Sequence, residues 1–368
     1  MVQMQDAVTP SVDKSQNIFQ QIEKLEHEQV VFCHDKDLGL KAIIAIHDTT
    51  LGPALGGTRI WKYSDENEAI YDVLRLSRGM TFKAAISGLN LGGGKAVIID
   101  NDNAKKDEFF WRKYGRFVDS LGGKYITAED VGTSTKIMGY IAMETKHVTG
   151  KPEHLGGCGD PSPVTAYGTY LGMKAAAKKV WGSDSLKGKT VAIQGVGHVG
   201  AYLMDYVAKE KANIIATDIS KANLEVARAK HNFKVVSPDA IYEAEMDIFA
   251  PCALGAILNE NTIANLKCSV VAGAANNQLE DELHDGKRLA KKGILYAPDF
   301  LINAGGLVNC YAEVNDLNRE TTMKTTEMIY DRTLEVFEFA EDNKILPQQA
   351  AMKIAEKRLQ GMNKVNSK

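Results

Sequence analysis

The hexapeptide Gly195-Val196-Gly197-His198-Val199-Gly200 constrains this chain more than any other feature. It follows directly on the β-rich run Thr190–Gln194 and opens the helical run AYLMDYVAK. Asp218 closes the next apolar run, 18 residues beyond Gly200. A GxGxxG alone is a weak signal. Between a strand and a helix, with an acidic residue about 20 positions on, it specifies a dinucleotide-binding βαβ unit. Gly195 permits the tight turn, Gly197 lets backbone N–H groups approach a pyrophosphate, and Gly200 lets the helix pack closely on the sheet. Val196, His198 and Val199 complete the cradle through their backbone, and the helix N-terminus adds partial positive charge for the phosphates. The side chain of His198 has no required chemistry. Asp218 is placed to accept hydrogen bonds from the adenosine ribose hydroxyls. A 2′-phosphate there would face a carboxylate, so NAD rather than NADP is the expected cofactor. Lys221 softens that preference without reversing it.

The alternation continues around the motif: strands TVAIQ, NIIATD, MDIFAP, SVVAGA and ILYAP are separated by helical runs such as NLEVARAKH. Near-continuous apolar strands between helices imply a parallel sheet covered on both faces. At 368 residues the chain is long enough for two domains. We expect a flexible extension over 1–15, a first α/β domain over 16–150, and a Rossmann-type doubly wound domain over 151–345. A last helix over 346–368 is expected to return to the first domain. In the first domain the periodicity predicts a helix near Asn17–Leu25, a strand over Lys41–His47, and an amphipathic helix over Glu68–Met80 leading to Lys83. A turn-laden stretch, DTTLGPALGG, follows the first of these strands, and Gly92-Gly93-Gly94-Lys95 precedes the strand AVIID. A helix near Phe109–Leu121 feeds the strand YIT and the acidic pair Glu129–Asp130. The stretch Met328–Met362 reads as helix.

Composition narrows the function. Apolar residues make up 44% of the chain, enough for a sizeable core. A net charge of −3 with dispersed basic residues leaves no footprint for nucleic acid or anionic membrane. No apolar run approaches the roughly 20 residues that span a bilayer, and the polar start has no signal-peptide core. Five cysteines without a CxxC pair fit a reducing compartment and argue against a disulfide framework or a zinc site. A cytoplasmic protein without a metal is expected.

Oxidising a primary amine at Cα requires three things besides a hydride acceptor: a cation for the α-carboxylate, a base that activates water, and a group that moves protons. Lys83, Lys95 and Asp130 are of the types that supply them. A lysine following three glycines, with a strand behind it, is held rigidly. Two lysines sharing a cleft depress each other's pKa, as does partial desolvation. Without such a shift a lysine stays protonated at neutral pH and cannot act as a base.

The segments GPALGGTR (52–59), RGMTFKAAISGLNLGGGKAVI (78–98), YITAEDVGT (125–133), GDPSPVTAYG (159–168), DIFAPCALGA (247–256), NNQL (276–279) and YAPDFLINAGGL (296–307) carry a resemblance over nearly the whole chain from Phe19. They resemble the leucine dehydrogenase branch of the glutamate/leucine/phenylalanine/valine dehydrogenase family. The resemblance implies a first domain that binds substrate and carries subunit contacts, with the site in the cleft between domains. Lys83 is then the carboxylate anchor, Lys95 the activator of water and Asp130 the proton shuttle. Thr165 and Asn277 contact nicotinamide. Gly56 and Gly57 line the site, and Leu55, Ala128, Leu307 and Cys310 line the side-chain pocket. It further implies NAD-dependent, reversible conversion of branched-chain L-amino acids, leucine above valine and isoleucine, to 2-oxo acids and ammonia, by a homo-oligomer, as an octamer. A glutamate enzyme is disfavoured because Leu55 stands where the glutamate members place a lysine. A phenylalanine or tryptophan enzyme, and a non-catalytic NAD-binding regulator, are the alternatives.

Overall fold

In the computed structural model residues 17–102 and 104–367 are described; the expected extension over 1–15 lies outside them. They form two compact units. The first comprises residues 17–160, 309–318 and 355–367. Its five strands are β1 (Gln29–Asp35), β2 (Leu40–Asp48), β3 (Ala54–Trp61), β4 (Gly92–Ile99) and β5 (Tyr125–Glu129). They lie in the order β1-β2-β4-β3-β5. β2 pairs antiparallel with β1 and β4, whereas β3 runs parallel to β4 and β5.

Both faces of this sheet are covered, which is why β2 reads as an unbroken apolar run. Ile43 and Ala45 face the helix Glu66–Ile86, meeting Ala69, Ile70, Val73 and Leu74. Ala42, Ile44 and Ile46 pack on the other side with Phe110, Trp111 and Tyr114 of the helix Glu108–Asp119. Each of these helices starts at an aspartate, Asp65 or Asp107, whose side chain accepts from N–H groups of the first turn. The stretch expected to be turn-laden is in its second half a strand: β3 starts at Ala54 and runs through Gly56 and Gly57. The three glycines of 92–94 lie inside β4 rather than before it, and Lys83 sits in the last turn of the helix Glu66–Ile86.

The second unit comprises Pro161–Val308 and Arg319–Ile354. Its strands are β6 (Thr190–Gln194), β7 (Asn213–Thr217), β8 (Lys234–Val235), β9 (Ile248–Pro251), β10 (Val270–Val271) and β11 (Leu295–Tyr296). All are parallel, in the order β11-β10-β9-β6-β7-β8. Successive β6 residues feed opposite cores. Val191 and Ile193 pack with Met173, Leu203 and Val207, while Ala192 packs with Phe249, Ile263 and Leu289. This is the expected doubly wound sheet, and its strand order reverses between β6 and β9, where such folds bind ligands.

The expected helix over 328–362 is two helices, Arg319–Asn343 and Pro347–Asn366. Lys344, at φ +53, turns the chain between them, and Pro347 starts the second in the position where a missing N–H costs nothing. Among the described residues no helix is long and apolar enough to cross a membrane.

Candidate active site

Where β3, β4 and β5 run side by side, Leu55 lies opposite Gly93 and Ile126, Gly56 opposite Thr127, and Gly57 opposite Ala128. Leu55, Gly56, Gly57 and Ala128 therefore form one patch on neighbouring strands. The patch is built from backbone at close quarters. A Cβ on Gly56 would stand 1.7 Å from the Gly94 carbonyl oxygen, and one on Gly57 2.5 Å from that of Glu129. A Cβ on Gly93 would stand 2.1 Å from Thr81 Oγ1. Gly93 thus lets the helix Glu66–Ile86 lie on β4 closer than any side chain allows. Lys83 follows Thr81 by two residues on this helix and is half-buried. Arg358 closes the end of the same helix, donating to the carbonyls of Ala85, Gly88 and Leu89 at 2.8–3.1 Å.

Lys95, in β4, is buried, with 7% of its side chain exposed, and its Nζ lies 2.8 Å from Asp130 Oδ2. Arg59 Nε donates to the same oxygen at 3.0 Å, and its NH1 reaches Asp72 Oδ2 at 3.1 Å. Tyr63 OH donates to Asp72 Oδ2 at 2.8 Å and Arg75 NH2 to Oδ1 at 3.2 Å. Burial is the largest influence on Lys95 and holds its proton affinity below the usual lysine range; Arg59 pushes the same way, while Asp130 and Asp72 oppose it. The cation that helps depress Lys95 here is thus Arg59. For Asp130 burial is the largest influence and favours the neutral acid, but Lys95 and Arg59 outweigh it and hold the carboxyl below its ordinary range. The result is a buried amine and a carboxylate within direct proton-transfer distance.

The strands beneath are stiffened by a second set of bonds. Tyr125 OH donates to the Gly56 carbonyl at 2.6 Å, and Thr58 Oγ1 shares hydrogen bonds with Tyr114 OH and Thr127 Oγ1, both at 2.6 Å. Cys310 belongs to this unit, and desolvation pushes its thiol up to about 12, so it is neutral. Leu307 is buried and belongs to the second unit. The four expected pocket residues are therefore not gathered within one unit.

In the second unit the glycine turn behaves residue by residue as a dinucleotide loop requires. Gly195 has φ +97, and a Cβ on it would press on Ala253. Gly200 packs so closely that a Cβ would stand 2.0 Å from the Gly195 carbonyl oxygen. At Gly197, the N-cap of the helix His198–Lys209, a Cβ would meet nothing within 4 Å, which leaves the backbone open to an approaching phosphate. Val196 lies beneath the turn, buried, while His198 and Val199 open the helix. Asp218 is bound into the turn itself: the Val196 N–H donates to its Oδ2 at 2.8 Å and the Ser220 N–H to its Oδ1 at 2.7 Å. These residues fit a dinucleotide.

Thr165 lies near the start of the helix Ser162–Trp181, its Oγ1 donating to the Pro161 carbonyl at 3.0 Å, and a Cβ on Gly306 would stand 3.1 Å from Thr165 Oγ1. Asn277 is exposed in the left-handed region, at φ +51. The loop after β9 bridges it to the glycine turn, since Ala253 lies against Gly195 and the Ala256 N–H donates to the Asn277 carbonyl at 2.7 Å. Two features escaped the sequence reading. Arg59 and Asp72 lie far from Asp130 along the chain, and Ile219, 92% exposed, follows Asp218 directly. An isoleucine left in water beside Asp218 breaks the apolar pattern, and that break was the available signal.

Comparison with known proteins adds independent findings. Residues 27–147 match the Glu/Leu/Phe/Val dehydrogenase dimerisation domain. Residues 156–224 and 216–365 match the Glutamate/Leucine/Phenylalanine/Valine dehydrogenase family. The chain is similar to the leucine dehydrogenase of Thermoactinomyces intermedius, 56% identical over 350 residues, which cover 95% of each chain. It is similar to that of Geobacillus stearothermophilus, 53% identical over 352 residues and again 95% of each. The crystal structure of L-tryptophan dehydrogenase from Nostoc punctiforme superposes with a TM-score of 0.84 at 46% identity, over 94% of this chain and 99% of that one.

Proposed function

The chain belongs to the glutamate/leucine/phenylalanine/valine dehydrogenase family and is an amino-acid dehydrogenase, and from that premise we propose that it catalyses reversible, NAD-dependent oxidative deamination of branched-chain aliphatic L-amino acids. The observation that carries the reading is the buried Lys95 Nζ at 2.8 Å from Asp130, among glycines that leave no room for side chains. An L-amino acid, water and NAD⁺ give a 2-oxo acid, ammonium, NADH and one proton. The nicotinamide, when bound, supplies the hydride acceptor, with Thr165 and Asn277 the residues that would hold it. Lys83 anchors the α-carboxylate as a fixed cation. Neutral Lys95 takes a proton from the water that attacks the imine carbon. Asp130 relays that proton from Lys95 to the departing amine, and collapse of the carbinolamine releases ammonia and the 2-oxo acid.

We assign substrate choice to the apolar residues Leu55, Ala128, Leu307 and Cys310. Burying an isobutyl side chain is worth about 1.5–3 kcal/mol, and one methylene more or less changes kcat/KM by only about 10–200-fold. Leucine is therefore favoured, and valine and isoleucine also turn over. A glutamate carboxylate beside Leu55 stays unpaired at a cost of several kcal/mol. The test is NADH absorbance on one preparation, comparing kcat/KM for leucine, valine, phenylalanine, tryptophan and glutamate, with NAD and with NADP. Leucine with NAD should rank first. An aromatic amino acid above leucine assigns the chain to the other reading, which its similarity to the tryptophan enzyme supports. No NADH with any amino acid leaves a nucleotide-binding regulator.

We also infer self-association, with an octamer as the assembly. Its support is the matched dimerisation domain together with edge strand β1, on which Phe32 is 57% exposed. Light scattering on the purified chain should give eight times the mass of one chain, and a monomer overturns this.

A further inference from the structure

We propose that Arg59, itself anchored by Asp72, is a positioning residue that sets how tightly Asp130 grips Lys95, and thereby when Lys95 can act as a base. The inference rests on the reading of Lys95 as the base in amino-acid oxidation. Its starting point is geometric: Lys95 Nζ and Arg59 Nε converge on one oxygen, Asp130 Oδ2, at 2.8 and 3.0 Å. A carboxylate that faced Lys95 alone in a buried site would hold it as an ammonium ion, and an amine that keeps its proton activates no water. Arg59 always carries its charge, so it competes permanently for the same oxygen and weakens the grip on Lys95. Asp72 works in the opposite sense. It accepts from Arg59 NH1 at 3.1 Å, fixes the guanidinium and offsets part of its charge.

The groups concerned come from separate elements: Asp130 from the end of β5, Arg59 from β3, and Asp72 from the helix Glu66–Ile86. Tyr63 and Arg75 hold Asp72, Lys83 rides on the same helix as Asp72, and Tyr125 of β5 is a further titratable neighbour of Asp130. The sign of each change follows. Without Arg59, Asp130 serves Lys95 alone and the lysine keeps its proton to higher pH. Without the Asp72 charge, Arg59 is uncompensated and Lys95 gives up its proton at lower pH. A purely structural role for either residue moves neither.

The experiment is the pH dependence of kcat/KM for leucine oxidation by the full chain, in wild type, Arg59→Gln, Arg59→Lys and Asp72→Asn, with thermal melts to confirm folding. The midpoint of the alkaline rise should move up by roughly 1 pH unit in Arg59→Gln. It should move down by roughly half a unit in Asp72→Asn, and stay near wild type in Arg59→Lys, whatever its maximal rate. If Arg59→Gln does not fold, Asp72→Asn decides alone: a downward midpoint supports the role, and an unmoved or upward one overturns it. Midpoints that ignore both substitutions, or move the same way, overturn the role of Arg59 only. A wild type without an alkaline rise overturns the reading of Lys95 as the base, and this inference with it.

Discussion

Lys95→Ala is expected to lower kcat for amino-acid oxidation by roughly 10²–10⁴-fold, the usual worth of a positioned general base. The fold should survive, because Asp130 keeps Arg59 as a partner when the ammonium is removed. The pH profile separates this loss from a general one. Burial holds the proton affinity of Lys95 below the ordinary lysine range, so its neutral form grows as pH rises through that lowered value. Wild-type kcat should climb toward alkaline pH, and the climb should vanish in Lys95→Ala. In the same assay Lys83→Ala should raise KM more than it lowers kcat, since the proposed mechanism makes Lys83 a carboxylate anchor rather than a base. A near-wild-type kcat in Lys95→Ala, or an alkaline climb that persists in it, overturns the assignment.

Gly56→Ala should abolish the native first unit, although it adds a single methyl group. The new Cβ would lie 1.7 Å from the carbonyl oxygen of Gly94 and 2.7 Å from its carbon, both backbone atoms of the neighbouring strand. No rotamer relieves that contact, so β3 and β4 must separate in the middle of the sheet. The cost exceeds about 4 kcal/mol, beyond the ordinary range for point mutants. Gly79→Ala is the control, exposed in mid-helix with nothing within 4 Å, and should stabilise by about 1 kcal/mol. Urea unfolding of the three proteins checks the pair. A soluble Gly56→Ala with wild-type unfolding overturns the close-packing account of this patch.

The second unit was legible in the sequence because its strands are covered on both faces and so read as plain apolar runs punctuated by helices. The glycine turn was legible for a different reason, since each glycine there answers a separate backbone demand. β3 was obscured by those same demands: Pro53, Gly56 and Gly57 read locally as turn chemistry, and only pairing with β4 and β5 makes the segment a strand. The break at Lys344 carries no glycine, so the single signal was Pro347. In the site, the contrast is between local and long-range information. Lys95 announces itself by the glycines before it. Arg59 meets Asp130 from 71 positions away, and no spacing rule reports an ion pair of that span.

The bonds from the Val196 and Ser220 amides to Asp218 bear on attempts to re-engineer the nucleotide preference of this scaffold. The usual design replaces such an acid by a small or basic residue to admit a 2′-phosphate. Here an alanine leaves two amides without their acceptor, and an arginine, which has donors only, faces them with the wrong polarity. The acid is a tie-rod of the loop, so exchanging it loosens the cradle for either nucleotide at once. A workable redesign keeps an acceptor at 218, such as asparagine or serine, and imports the positive charge from the exposed positions beside it, Ile219 or Lys221.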